Sequence, residues 1–244
     1  MAHLLSKSKY IRGLQCDRAL WLDVHRPSLA RYTAEQMRRF DRGRDFEYAF
    51  KSTFPHGIDI SSELKRNVDA YPEYTARLLD DVGKRRAASA GNGATNDGGH
   101  GTPCPYEVVL FEAGFLYDDV LVLADVVQQR EDGTLDIYEV KSGTALSETY
   151  RRDAALQHYV ISHCREIHTF SIVYANPDGG FITEDLTEAL QTQHDEIERN
   201  IAAMKEIIRG GEPATPTGQH CLEPYACPYQ HYCQQGVRQM SLFG

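Results

Sequence analysis

Between residues 106 and 143 the chain sets short apolar runs against turn signals. "YEVVLFEAGFLY", "VLVLADVVQQR" and "LDIYEVKSG" are rich in Val, Leu, Ile and Tyr, and Asp118-Asp119 and Glu131-Asp132-Gly133 separate them. That pattern predicts a meander of three antiparallel strands. Upstream, "LSKSKYIRGLQCDRALWLDVHRP" puts Leu14, Ala19 and Leu22 on one rough face. It predicts a helix that Ser6 or Ser8 caps and Pro27 closes. "TAEQMRRFDRGRDFEYAFKSTF" predicts a second helix, ending before Pro55. Residues 86–103 are small, polar and glycine-rich and read as a flexible loop.

After the meander, "SETYRRDAALQHYVISHC" reads as a helix and "HTFSIVYA" as a strand, with "NPDGG" as the turn that follows. "EDLTEALQTQHDEIERNIAAMKEIIRGG" spaces Leu186, Leu190, Ile197, Ile201, Met204 and Ile208 by three or four. This predicts one long helix that stops at Gly210-Gly211. The whole is an α/β fold with a mixed central sheet flanked by helices. Residues 1–235 form one domain in this reading, and 236–244 a tail peptide.

Composition sharpens the picture. With 244 residues and 41% hydrophobic content, the chain can bury one substantial core. No apolar run is long enough to span a bilayer, and "MAHLLSKSKY" lacks the core of a signal peptide, so a cytoplasmic location is expected. The net charge of −9 is unevenly spread: residues 1–51 hold 11 Lys and Arg against 6 Asp and Glu. A basic N-terminal part on an acidic body is compatible with a local phosphate-binding surface.

The strand "DIYEVKSGT" raises a chemical question. Glu139 and Lys141 are two apart, so on an extended chain they point the same way, within apolar surroundings. Burying such groups is costly unless they are paired or bind a metal. Asp125 lies in the preceding strand, and an Asp and a Glu from neighbouring strands can meet at one hard divalent cation. The lysine can hold a water beside that metal or neutralise charge on a phosphate. The six cysteines are also unevenly placed: Cys16 near the start, Cys221, Cys227 and Cys233 near the end, and Cys104 and Cys164 between. In an intracellular chain such cysteines point to a metal, catalysis or packing more than to disulfides.

Asp125 followed by Glu139-Val140-Lys141 resembles the signature of the PD-(D/E)XK nuclease superfamily, with Ala124 where many members have Pro. Gly43 and Glu47 resemble the Gly-X-X-X-His/Glu element of RecB-like nucleases. Gln157, on the helix after the Glu-X-Lys strand, resembles their conserved-helix glutamine, although Tyr159 follows at two residues where the family has four. "LSKSKYIRGLQCDRALWL" and "HCLEPYACPYQHYC" resemble the two ends of the iron–sulfur group of RecB-like nucleases, which includes the AddB nuclease domain and the CRISPR-associated single-strand exonucleases.

This resemblance implies a 4Fe-4S cluster on Cys16, Cys221, Cys227 and Cys233, clasping the two ends of a nuclease domain. Both gaps in the C-terminal trio hold five residues, where the family commonly has two and then five. Zinc is the rival metal, with His220 and His231 as further candidate ligands. The resemblance further implies that Asp125, Glu139, Glu47 and the Val140 carbonyl hold magnesium or manganese. Lys141 would orient the attacking water and Gln157 support the site, with Glu112 a spare ligand.

The expected activity is that of a metal-dependent deoxyribonuclease, an exonuclease on single-stranded DNA used in repair, recombination, phage replication or CRISPR-related processing. A DNA-binding or processing subunit with weak cleavage, or a zinc-stapled interaction module, are the alternatives. The tail "QMSLF" resembles the bacterial sliding-clamp-binding peptide, which implies that Gln239, Met240, Leu242 and Phe243 dock on that clamp.

Overall fold

The meander forms, and it is the middle of a larger sheet. The computed structural model describes residues 4–65, 67–91 and 106–240. In it β3 (Tyr106–Tyr117), β4 (Val120–Arg130) and β5 (Leu135–Lys141) run antiparallel in sequence order. Tight turns join them, as antiparallel neighbours allow. β6 (Ile167–Ala175) lies parallel to β5, and the crossover that parallel pairing demands is α6 (Glu148–Ser162). β7 (Phe181–Asp185) closes that edge antiparallel to β6. Two short strands add parallel pairs: β2 (Ile58–Asp59) on β3, and β1 (Leu5–Ser6) on the start of β4.

Two layers of helices cover this mixed sheet. On one face α3 (Ala34–Lys51) brings Phe46 and Phe50, with Phe54 just beyond it, against Phe111, Val126, Tyr138, Val140 and Phe181. Thr33 starts α3 through a reciprocal capping box with Gln36. On the other face α6 is buried almost throughout, packed with α1 (Lys7–Gln15) and α8 (His194–Arg209). α5 (Tyr71–Gly91) crosses β3, where a β-carbon on Gly114 would stand 2.5 Å from that of Tyr71. Glycine is therefore required at that crossing. α4 (Ile60–Leu64) and α5 fall in a stretch for which the hydrophobic pattern predicts nothing.

Four boundaries differ from expectation. The first predicted helix breaks at Cys16, whose extended backbone (φ −167°, ψ 122°) ends α1 and starts α2 (Asp17–His25). Its first residues, Leu5 and Ser6, are strand. The long C-terminal helix is instead β7, a short α7 (Thr187–Gln191) and α8. Leu186 and Leu190 satisfy a helical period but belong to the short α7, as its N-cap and its buried residue, and not to α8. Residues 86–91 of the expected loop are the last turns of α5, and the rest of it lies outside the described residues. Finally, α9 (Gln230–Met240) carries Gln239 and Met240 into a helix, while Leu242 and Phe243 lie outside the described residues. Among the described residues no helix is long and apolar enough to cross a membrane.

Candidate functional site

Sheet register builds the site. Phe111 pairs with Val126 and Ala113 with Ala124, so Glu112 faces Asp125 across β3 and β4. Val126 pairs with Tyr138, so the next residues, Asp125 and Glu139, face each other where β4 and β5 part. Three carboxylates thus form one row across three neighbouring strands. Asp125 accepts a hydrogen bond of 2.7 Å from the Val140 backbone N–H, tying the two strands where their ladder ends. Glu112 holds a positive φ of 54° in mid-strand. Such a conformation costs about 1–3 kcal/mol in a residue with a β-carbon, and it persists only where the surroundings enforce it.

From the other side α3 contributes Glu47. One carboxylate oxygen each from Glu47, Glu112 and Asp125 lie within 4.8 Å of one another. Glu139 is not in that set: both its oxygens accept from Lys7 Nζ, at 3.1 and 3.2 Å, and Oε1 also accepts from Lys141 Nζ at 2.5 Å. Lys141 donates as well to Asp153 of α6 at 2.5 Å. Lys51 bridges Glu47 at 2.5 Å and Glu112 at 2.6 Å. Three lysines are therefore interleaved with five carboxylates.

Electrostatics follows from that imbalance. Burial, the Glu139 charge and the charges of Glu47 and Glu112 hold the Asp125 carboxyl well above the usual carboxylate range, against the pull of Lys7. Burial raises Glu112 also, Lys51 opposing and Glu47 adding. Glu139 goes the other way: burial would raise it, but Lys141 and Lys7 outweigh burial and push it down to about 2. The Glu139 and Asp153 charges outweigh the burial of Lys141 and hold its ammonium charged.

Gln157 is fully buried, and neither amide atom has a hydrogen-bond partner. Asp153 Oδ1 is likewise unpartnered. Asp153 and Gln157 are four apart, so they share the face of α6 turned to the site. Tyr159 does not: it packs edge-on against Tyr117 and His194. Val140 is placed by its N–H contact with Asp125.

The cleft over this site has a volume of about 720 Å3. Lys7, Glu47, Lys141 and Asp153 form its floor, Arg12 and Arg39 its cationic wall, and Tyr32, Phe40, Tyr150 and Tyr225 its aromatic wall. Arg39 stacks over Tyr225 at 4.7 Å, and Tyr32 meets Phe40 edge-on at 5.8 Å. Tyr32 and Phe40 are nearly half exposed, so the aromatic wall faces solvent.

A second centre lies at the chain ends. Gln15 donates 2.7 Å hydrogen bonds to the carbonyls of His220 and Tyr225, Trp21 donates to the Gly210 carbonyl, and Tyr229 donates to Asp23. Arg18 pairs with Glu212. Around this seam Ala19, Leu22 and Tyr229 form a small apolar cluster that includes Cys16 and Cys227. Burial pushes the Cys16, Cys227 and Cys233 thiols up, and each also feels the charge of Cys221. Cys16 and Cys221 therefore lie within electrostatic reach of Cys227 and Cys233. A zinc ion with sulfur ligands at about 2.3 Å would draw them to within about 4 Å of each other. Among the described residues no three thiols come within 4.8 Å. Cys164 is remote, against the Leu116 carbonyl, and Cys104 lies outside the described residues.

Sequence reasoning brings Asp125, Glu139, Lys141, Glu47 and Gln157 to one place but omits Lys7, Lys51 and Asp153. Asp153 had a signal, four residues before Gln157. Lys51 had one too, four after Glu47. Lys7 had none, because only the tertiary fold carries it to Glu139, 132 residues away.

No protein-family model matches the chain, and no curated protein matches it. Among solved structures it is similar to the protein described as "Crystal structure of SSO0001", at 14% identity and a TM-score of 0.35. The alignment covers 83% of this chain and 98% of that one.

Proposed function

We propose that this chain is a metal-dependent deoxyribonuclease that hydrolyses phosphodiester bonds, acting as an exonuclease on single-stranded DNA. One observation carries the reading: a row of carboxylates, Glu112, Asp125 and Glu139, crosses three strands where β4 and β5 part, with Glu47 above it and Lys141 beside it. The donor set fits a hard cation. Oxygen atoms converge from three side chains, Glu47, Glu112 and Asp125, burial and neighbouring carboxylates raise Asp125 and Glu112, and Gln157 and Asp153 keep buried polar atoms without partners.

Glu47, Glu112, Asp125 and Glu139 would hold magnesium or manganese, which when bound polarises a phosphate oxygen and acidifies water. The chain's own residues do the remainder. Lys141 keeps its charge and can position a water or a phosphate oxygen by hydrogen bonding, while Asp153 fixes the ammonium from behind. Arg12 and Arg39 suit a phosphate backbone, and the exposed Tyr32 and Phe40 suit unpaired bases, which stack on aromatic faces. In this reading Cys16, Cys221, Cys227 and Cys233 hold a 4Fe-4S cluster; the packing of Cys16 and Cys227 into one small cluster at the seam supports it. The tail from Gln239 would tether the enzyme to a sliding clamp.

The test is incubation of end-labelled single- and double-stranded DNA with the protein and manganese, beside a Lys141→Ala control. Shortening of the single strand by the parent protein alone is expected. No metal-dependent cleavage of any DNA, or equal cleavage by the control, refutes the reading.

A further inference from the structure

The carboxylates that matter most cannot be reached directly from the cleft. Lys7 lines it, whereas Asp125 and Glu139 do not. Lys7 Nζ lies 3.8 Å from Asp125 and grips both oxygens of Glu139, whose side chain is only 1% exposed. A cation arriving from the cleft therefore meets an ammonium where it must bind. Lys51 bridges Glu47 and Glu112 in the same manner, but it is not part of the cleft lining and packs 5.7 Å over the Phe111 ring. The two lysines differ in freedom: Lys7 is 24% exposed and Lys51 13%.

Resting on the metal-nuclease reading, we propose that Lys7 is a built-in counter-ion that occupies the site until a divalent cation displaces it. The released ammonium then turns into the cleft, beside Arg12, as a ligand for substrate phosphate. In the exchange a monovalent ammonium leaves Glu139 and Asp125 and a divalent ion replaces it, so the two carboxylates gain one unit of positive charge. The reasoning is Coulombic. Two carboxylates cannot bind a lysine and a metal through the same oxygens, and the displaced ammonium has the cleft before it, which Arg12 also lines. Lys7 is thus a positioning residue for the substrate strand, and metal occupancy and phosphate affinity are coupled through it.

Two measurements test this. In the unaltered protein, an amine-reactive reagent with mass-spectrometric readout should label Lys7 slowly in EDTA and several-fold faster with saturating Mn2+. In Lys7→Met, calorimetric Mn2+ titration of the DNA-free protein should show binding tighter by about tenfold, roughly 1.4 kcal/mol. A lysine that merely braces Glu139 would give the opposite, since its loss would misplace a ligand and weaken the metal. Mn2+ binding with Lys7 labelling unchanged, or weaker binding by a folded Lys7→Met, overturns the proposal and leaves the nuclease reading standing. Absence of Mn2+ binding to the parent protein overturns both.

Discussion

Replacing Asp125 by Asn should stabilise the metal-free protein while abolishing cleavage. Asp125 shares its 4.8 Å neighbourhood with Glu47 and Glu112. Each like-charged pair at that separation repels by about 3.5 kcal/mol at an effective dielectric of about 20, and Lys7 at 3.8 Å returns about 4 kcal/mol. With Lys51 answering part of the charge on Glu47 and Glu112, and before the Glu139 charge is added, the ionised Asp125 is left with a net cost of about 1–3 kcal/mol. Asn keeps the carbonyl that accepts from the Val140 N–H and turns an amide donor toward the remaining carboxylates.

The sign of the pH dependence follows. Asp125 keeps its proton to higher pH in the folded chain than in the unfolded one, so its cost is absent in acid and grows as pH rises. Thermal melts in EDTA should therefore converge as pH falls below the ordinary aspartate value of 3.8 and separate as pH rises above it, with the variant higher by about 3–10 °C near pH 8. Added Mg2+ should raise the melting temperature of the parent and barely move the variant. A variant that melts lower than the parent in EDTA at pH 8 would refute the reasoning, because Asp125 would then be an ordinary partner of Lys7.

Glu139→Gln should do the reverse and destabilise by about 3–5 kcal/mol, since it strands two buried lysines, and denaturant titration measures it. The parent's Glu139 contribution is present above the usual glutamate range and is lost only as pH falls toward about 2. Mn2+ affinity should rise with pH and its binding release protons, because Asp125 and Glu112 must ionise; calorimetry in buffers of different ionisation enthalpy counts them. Cys16→Ser should lose the brown colour, the bound iron and several degrees of thermal stability together; unchanged iron would remove Cys16 from the ligand set. Deleting residues 239–244 should abolish roughly micromolar binding to a bacterial sliding clamp, and equal binding with and without them would dismiss the tether.

The meander, α3, α6 and the mixed sheet were legible because each is a run with one clear period or one dense apolar stretch. The errors arose where two elements share a period. Leu186 and Leu190 continue the spacing of Ile197 and Ile201, and nothing local says that a strand precedes them; pairing with β6 decides it. The break at Cys16 was illegible for the same reason, since a single extended residue between two helices leaves apolar spacing almost intact. Within the site, Asp125, Glu139 and Lys141 announced themselves by sitting in apolar strands. Glu112 sits in one too, but its role depends on a positive φ that no composition reveals. Lys7 and Lys51 looked like ordinary solvated helix lysines until the fold brought carboxylates to them.

The seam between α1–α2 and the C-terminal segment also has a kinetic side. The Gln15 contacts to His220 and Tyr225 close loops of 205 and 210 residues. Ordering ends that far apart costs about 5 kcal/mol of chain entropy before any contact is made, so the seam should form late, after the sheet has brought its two sides near each other. Lys7 lies on the helix that Gln15 ends, and β1 holds that helix's other end to β4. Until the seam shuts, the roof over Asp125 and Glu139 is fastened at one end only. Refolding followed by Lys7 labelling should therefore show its protection in the slowest phase, well after far-ultraviolet signals from the sheet and α6 have settled.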